Sequence, residues 1–279
     1  MNKLLALIRL MRPLNLFQGA IAILVCATLM QPFPSWERIL LAVMIVWSFT
    51  AAGNALNDYC DVEIDRVNRP DRPIPSGKIA RRTALIFSIA LFVIGAILSV
   101  FILKPAIGIV VAVAIFLLVT YSLFFKKRAF WGNFVVAAIL GLTFIFGALI
   151  FGDVRKGIAP FFLAFGFNLV REIVKDMQDV RGDQTGNAHT IPLQYGMRVA
   201  QRCVVGLTFL LMAGAFLPYF LDVYGIYYLV ILSVTVELPL AFVIYSIRKD
   251  VGEVNCGRIA RLLKLDVFFG LIAIFLGRF

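Results

Sequence analysis

The chain has 279 residues, 61% of them hydrophobic and only 15% charged, with a mean hydropathy of +0.93. That balance excludes an ordinary soluble domain and describes a polytopic membrane protein. A formal charge of +11 would suggest nucleic acid in a soluble protein, but here membrane topology accounts for it and no nucleic-acid partner is expected.

Residues 2–11 read as an interfacial amphipathic helix, because Arg9 and Arg12 break the early apolar run and no small-residue cleavage site follows. Apolar stretches long enough to cross about 30 Å of hydrocarbon then occur at 14–31, 37–57, 84–103, 105–125, 130–151, 158–175, 199–221, 224–247 and 259–277. They predict an all-α fold of nine transmembrane helices around one central cavity. No polar linker is long enough to divide residues 1–279, so a single membrane domain is expected. With the N-terminus inside, about 22 Lys and Arg fall in inner segments against about five outside, which predicts a C-terminus outside and an integral protein of the cell membrane. Cys26, Cys60, Cys203 and Cys256 have no paired spacing and indicate neither a disulfide framework nor a zinc site.

After the second and sixth spans the chain carries the same acidic pattern, Asp58, Asp61 and Asp65, then Asp176, Asp179 and Asp183. On a continuous helix, positions i, i+3 and i+7 share a face, so each run can aim three carboxylates at one point. Hard oxygen donors grouped in this way suit Mg2+, with open positions for phosphate oxygens. Four crossings separate the runs, which puts both on the cytoplasmic side. Each run is also followed by a similar tail: Ile74-Pro75 then Arg81-Arg82, and Ile191-Pro192 then Arg198 and Arg202. The echo suggests two related halves.

Between Cys60 and Arg82, Pro70, Pro73 and Pro75 prevent a continuous helix, and the loop reads as an ordered cap; Gly182 and Gly186 are expected to loosen the backbone after the second run. Asn54, Asn57, Arg66, Arg69 and Arg72 cluster with the first run, and guanidinium groups there suit phosphate oxygens. Arg171, Glu172 and Lys175 accompany the second run; ion pairs along the helix account for some of these charges but not for Asp179 and Asp183. Lys126, Lys127 and Arg128 follow the fourth span near Tyr121 and Asn133. Positive-inside topology alone could place them, or Lys126 or Lys127 reaches a diphosphate and neutralises a leaving group. A substrate with a diphosphate head and a long hydrocarbon tail fits two metals inside an apolar bundle. Phe17, Phe124, Phe144, Phe146 and Phe167 are candidates to face an allylic cation, although 26 Phe in the chain single none of them out.

The string from Asn57-Asp58 to Asp61 and Asp65, continuing through Arg69-Pro70 and Arg72-Pro73-Ile74-Pro75-Ser76-Gly77, resembles the first signature of the UbiA-type intramembrane prenyltransferases. Lys175-Asp176 through Asp179 and Asp183, then Thr190, Pro192 and Tyr195-Gly196, resembles the second. The resemblance covers nearly the whole chain. It implies Mg2+-dependent transfer of a polyprenyl group from its diphosphate to an acceptor, with Asn57, Asp58, Asp61 and Asp65 at one metal and Asp176, Asp179 and Asp183 at the other. Asp61, Asp65, Asp179 and Asp183 are then the expected catalytic carboxylates. Asn57, Arg66, Arg72, Tyr121, Lys126, Lys127, Asn133, Arg171 and Lys175 are the expected substrate-binding residues. Within the family, the second signature is most similar to the archaeal-lipid enzymes that join geranylgeranyl diphosphate to geranylgeranylglyceryl phosphate through an ether bond. His189 departs from the pattern, which more often has Lys there.

Two other readings compete. Quinone- and chlorophyll-type prenyltransferases with an aromatic acceptor share parts of the second signature. A cation- or proton-coupled secondary transporter would use charges near the bilayer midplane, for which Glu237 beside Pro239 is the best candidate. A lipid-head phosphotransferase of the CDP-alcohol type ranks last because its Asp-Gly and Ala-Arg pattern is missing.

Overall fold

Long apolar segments punctuated by Pro, Gly and charge give helices throughout, and the computed structural model, which describes residues 3–102, 104–126 and 128–279, contains no strand among them. Lys127 lies outside the described residues. In chain order the helices are α1 (Lys3–Met11), α2 (Pro13–Thr28), α3 (Trp36–Cys60), α4 (Val62–Asn68), α5 (Arg81–Val100), α6 (Pro105–Thr120), α7 (Trp131–Phe151), α8 (Ile158–Gln178) and α9 (Val180–Thr185). They continue as α10 (Ile191–Tyr195), α11 (Met197–Ala215), α12 (Leu217–Phe220), α13 (Ile226–Ile231), α14 (Leu238–Lys249) and α15 (Glu253–Leu276). A π-helical turn, Tyr121–Phe125, extends α6, and another, Leu232–Glu237, joins α13 to α14.

Among the described residues, seven helical segments are long and apolar enough to cross a membrane, or eight if the pair α1 and α2, bent by 47°, counts as one span. The chain is therefore an integral membrane protein, but this count stops short of nine. The difference lies in α15, where Arg261, Lys264 and Asp266 make the predicted last segment, 259–277, too charged to qualify by composition. The α1–α2 bend sits at Arg12, which adopts a left-handed backbone (φ 56°) before Pro13. Proline disfavours the α conformation in the residue preceding it, so the helix breaks there.

Small side chains position the first half of the site. Ala51, Ala52 and Ala55 on α3 are buried, which lets α5 approach closely enough for Ser88 Oγ to donate to the Ala52 carbonyl at 2.8 Å. Outward-facing Ile86, Ile89, Val93 and Ile97 of α5, and Ile109 and Phe116 of α6, are exposed, as a lipid-facing surface requires. In the second half α8 is the central helix, packed against α7, α11 and α15. Its Val170, Ile173, Val174 and Met177 are buried with Leu240, Val243 and Leu263 in one apolar core. After α4 the proline-rich segment folds back as the expected cap, its Ile74 packed against Leu10, Val62 and Ala84.

Candidate active site

The three aspartates of each run do not share one continuous helix, contrary to the reading from spacing. Helix α3 ends at Cys60 and α8 at Gln178, and the middle aspartate of each run pivots the chain into a short second helix. Asp61 has φ −94° and ψ 11°, and Asp179 has φ −93° and ψ 10°. The same break at the same position in both halves is the local structure behind the echoed sequence. The short helices α4 and α9 that follow pack against each other. Asn68, the last residue of α4, donates from Nδ2 to the Asp179 carbonyl at 3.0 Å and accepts the Gly182 N–H at 2.9 Å. Gly182 and Gly186 permit that approach: a Cβ would lie 2.3 Å from Asn68 Nδ2 and 2.3 Å from Ile64 Cγ1, respectively. Neither has a positive φ, so close packing, rather than the loosened backbone expected, explains these glycines.

The carboxylates are held by the chain's own cations. Arg72 Nη1 reaches Asp65 Oδ2 at 2.6 Å and Asp58 Oδ1 at 3.1 Å; Arg12 also pairs with Asp58, and Lys126 with Asp61. Across the halves Arg69 Nη2 lies 2.8 Å from Asp179 Oδ2, and Asn133 Nδ2 donates to Asp176 Oδ2 at 2.8 Å. Lys126 also donates to Asn57 Oδ1 at 3.3 Å. The π-helical turn brings this segment to the site: the Lys126 N–H bonds back to the Tyr121 carbonyl, five residues earlier, at 2.9 Å. Arg171 Nη1 and Lys175 Nζ share Glu172, at 3.0 and 2.9 Å.

One polar pocket is lined by Asp65 of the first run and by Asp176, Asp179 and Asp183 of the second, with Lys126, Asn133 and Thr190 among its other walls, while Asp58 and Asp61 are buried and line neither this pocket nor the larger cavity. Tyr121, Arg72 and Lys175 also line a larger cavity of about 400 Å³, whose walls continue as Ile45, Val111, Leu163 and Leu211. One end of the chamber is therefore polar and the rest apolar, the shape a charged head with a hydrocarbon tail requires.

Among the described residues no three acidic, His or Cys side chains stand close enough to enclose a metal ion in their present pairing. The expectation that each run aims its three carboxylates at one point is corrected accordingly, because Arg12, Arg69, Arg72 and Lys126 draw them to different partners. The donor set nevertheless fits a hard divalent cation. Burial, with Asp179 and Asp61 nearby, pushes the Asp183 carboxyl up to about 6, and its side chain has no hydrogen-bond or ion-pair partner among the described residues. Burial also raises the Asp65 carboxyl, partly opposed by Arg72. Negative charge that the local cations leave uncompensated is what a divalent ion neutralises.

Of the expected binding residues, Asn57, Arg72, Tyr121, Lys126, Asn133 and Lys175 line the polar pocket, while Arg171 lines the larger cavity. Arg66 is turned away: its side chain is 61% exposed and pairs with Glu63 at 2.8 Å. Phe144, Phe146 and Phe167 line the cavity, whereas Phe17 and Phe124 are exposed. His189 is exposed, and its backbone forms an isolated parallel bridge with Arg128. Glu237 is buried but lines neither cavity.

Arg12, Asn68 and Lys264 are site residues that the sequence reading passed over. Arg12 looked like a topological charge, and only its position before Pro13 signalled a helix break. Nothing in the sequence pairs Asn68 with Gly182, which is 114 residues away. Lys264 counted only as an inner charge.

This architecture defines a class: an intramembrane enzyme with two acidic half-sites at the head of an apolar chamber. Residues 19–259 match the UbiA prenyltransferase family, and the chain belongs to that family. It is 36% identical over 270 residues to the digeranylgeranylglyceryl phosphate synthase of Methanosphaera stadtmanae, covering 97% of this chain and 98% of that protein. The synthase of Methanothermobacter thermautotrophicus is also 36% identical, covering 95% of this chain and 93% of its own. The solved structure of a digeranylgeranylglyceryl phosphate synthase superposes with a TM-score of 0.77 at 29% identity, covering 100% of this chain and 99% of the other. A UbiA homolog from Archaeoglobus fulgidus, solved with GPP and Mg2+, has the same fold (TM-score 0.74, 18% identity, 96% and 99% covered).

Proposed function

We propose that this prenyltransferase moves a geranylgeranyl group from its diphosphate to the free hydroxyl of geranylgeranylglyceryl phosphate, forming an ether lipid, with Mg2+ as cofactor. The observation that carries the reading is that Asp65 of the first run and all three aspartates of the second line one pocket at the head of an apolar chamber. Relatives named for that synthesis at 36% identity over nearly their full length support the acceptor.

Asp58, Asp61 and Asp65 on one side and Asp176, Asp179 and Asp183 on the other would hold Mg2+, which supplies Lewis-acid neutralisation of the diphosphate. The chain's own residues do the rest. Lys126, Arg69 and Arg72, each paired to a carboxylate, sit where their donors can turn to phosphate oxygens. The polyprenyl tail lies in the apolar chamber, and Phe144, Phe146 and Phe167 line the wall beside it. The allylic C1–O bond breaks, its electron pair leaves with diphosphate, and the cation is shielded from water and faced by aromatic rings. The acceptor's hydroxyl oxygen forms the new bond to C1. Its proton passes to an ionised pocket carboxylate or to the departing diphosphate.

In this reading residues 1–279 work as one membrane domain, with the N-terminus and polar pocket cytoplasmic and the C-terminus outside. Helix α15 serves as the ninth span: Asp266 is buried and Lys264 faces the cavity, so two of its charges avoid lipid. The test is purified protein with Mg2+, geranylgeranyl diphosphate and a panel of acceptors, with products identified by mass. A bis-prenyl glycerophosphate is expected. Exclusive prenylation of an aromatic acid would overturn the acceptor assignment, and substrate uptake by sealed vesicles that Glu237→Gln abolishes would favour a transporter.

A further inference from the structure

The polar end of the larger cavity extends beyond the residues that line the acidic pocket. Lys264 of α15 lines it together with Asn15 and Gln18 of α2, and none of the three lines the acidic pocket. Lys264 Nζ donates to Asn15 Oδ1 at 3.0 Å, and Gln18 Nε2 donates to the Lys264 carbonyl at 3.1 Å, so two helices from opposite ends of the chain orient this ammonium. No carboxylate pairs with Lys264 among the described residues. Arg171 and Lys175, which line the same cavity, lie within electrostatic reach of it and share the single carboxylate Glu172. Arg171 also keeps a buried Nε–H with no partner among the described residues.

Among the described residues, Glu172 is therefore the one direct ion-pair partner shared by Arg171 and Lys175, and Lys264 has none. Uncompensated positive charge and an orphaned donor are expensive in a largely apolar chamber unless an anion completes them. The donor diphosphate belongs to the acidic pocket. A phosphomonoester, carrying about −1.5 to −2 at neutral pH, matches the surplus left by Lys264, Arg171 and Lys175. We infer that Lys264 and Arg171, with Asn15 beside them, bind the phosphomonoester of the acceptor and make the enzyme select a phosphorylated acceptor over its dephosphorylated alcohol. This rests on the function proposed above and adds the residues that read the acceptor's head.

The experiment measures KM for the phosphorylated acceptor, for the same prenylglycerol without phosphate, and for the donor, in wild type, Lys264→Met, Lys264→Arg and Asn15→Ala. Losing a charge-assisted contact should raise KM for the phosphorylated acceptor roughly tenfold to a hundredfold in Lys264→Met. Donor KM and turnover of the alcohol should change little, and Lys264→Arg should restore most of the preference. Asn15→Ala, which frees the ammonium without removing it, should lower the preference several-fold and decides the matter if Lys264→Met does not purify folded. An unchanged phosphorylated-to-alcohol preference in whichever variant folds, or an equal loss on both acceptors, overturns the assignment. Failure of the wild type itself to use the phosphorylated acceptor would instead sink the proposed function.

Discussion

Replacing Gly182 with Ala tests whether the two halves of the site are braced through Asn68. The new Cβ would stand 2.3 Å from Asn68 Nδ2, 2.4 Å from Cγ and 2.5 Å from Oδ1, closer than any real contact, so the whole amide must move. That breaks both of its cross-half hydrogen bonds, to the Asp179 carbonyl and from the Gly182 N–H. At roughly 0.5–1.5 kcal/mol net for each bond, the loss is about 1–3 kcal/mol, or about 5- to 150-fold if it is felt wholly in the population of the aligned site. Gly182→Ala should lower both thermal stability in detergent and Mg2+-dependent diphosphate release. Asn68→Ala should do so comparably, by losing the same bonds without a clash. In the double variant the methyl meets no amide, and alanine is about 1 kcal/mol better than glycine within a helix, so the second change should cost nothing further. The resulting coupling of about 1–3 kcal/mol is within the range found for residues in direct contact. Additive losses, or a fully active Gly182→Ala, would refute the brace.

Four further outcomes follow from the geometry. Asp61→Ala and Asp179→Ala should each abolish Mg2+-dependent diphosphate release in protein that still folds; retained turnover in both would remove the two-metal argument. Arg72→Ala, which strips both Asp58 and Asp65 of a partner, should reduce release by at least about tenfold, whereas Arg66→Ala should stay near wild type, since exposed pairs contribute about 0–1 kcal/mol. Asp183 titrates near 6 in the fold against 3.8 without it, so its charge penalises folding increasingly as pH rises through that window. Mg2+ should therefore raise the melting temperature more at about pH 7.5 than at about pH 5, and an equal gain at both would contradict the raised carboxyl. Finally, Asp266 is buried with neither carboxylate oxygen partnered among the described residues, so Asp266→Asn should leave thermal stability unchanged or raise it by about 1 kcal/mol or more, and a marked drop in melting temperature would expose a hidden partner.

Much of this protein could be read without coordinates because bilayer thickness imposes one simple rule on composition. The helical fold and most span positions follow from apolar run length alone, and the two acidic runs stand out because carboxylates are rare at such boundaries. The spacing failed at the backbone between the carboxylates: a regular helix puts Asp58, Asp61 and Asp65 on one face, but the chain breaks at Asp61. The cations reaching in from the α1–α2 bend, from the segment after α4 and from the segment after α6 determine which aspartate each holds. Arg66 and Arg72 look equivalent in a basic loop, and the fold separates them, one onto Glu63 and the other onto two aspartates. The charges of α15 hide a span from a reading by composition because Lys264 lines the cavity and Asp266 is buried, away from lipid.

The internal ion pairs at the acidic pocket would couple the binding of one ligand to the binding of the other. Under the proposed function, Mg2+ held by Asp58, Asp61 or Asp65 would take the place of Arg12, Arg72 or Lys126 and leave guanidinium and ammonium groups without a counter-charge. Diphosphate supplies that counter-charge, but by itself it would face the carboxylates. Each ligand thus removes the obstacle to the other, and by thermodynamic reciprocity diphosphate tightens magnesium binding by the same factor that magnesium tightens diphosphate. Under the proposed function, magnesium and the prenyl donor would each bind more tightly with the other present than alone.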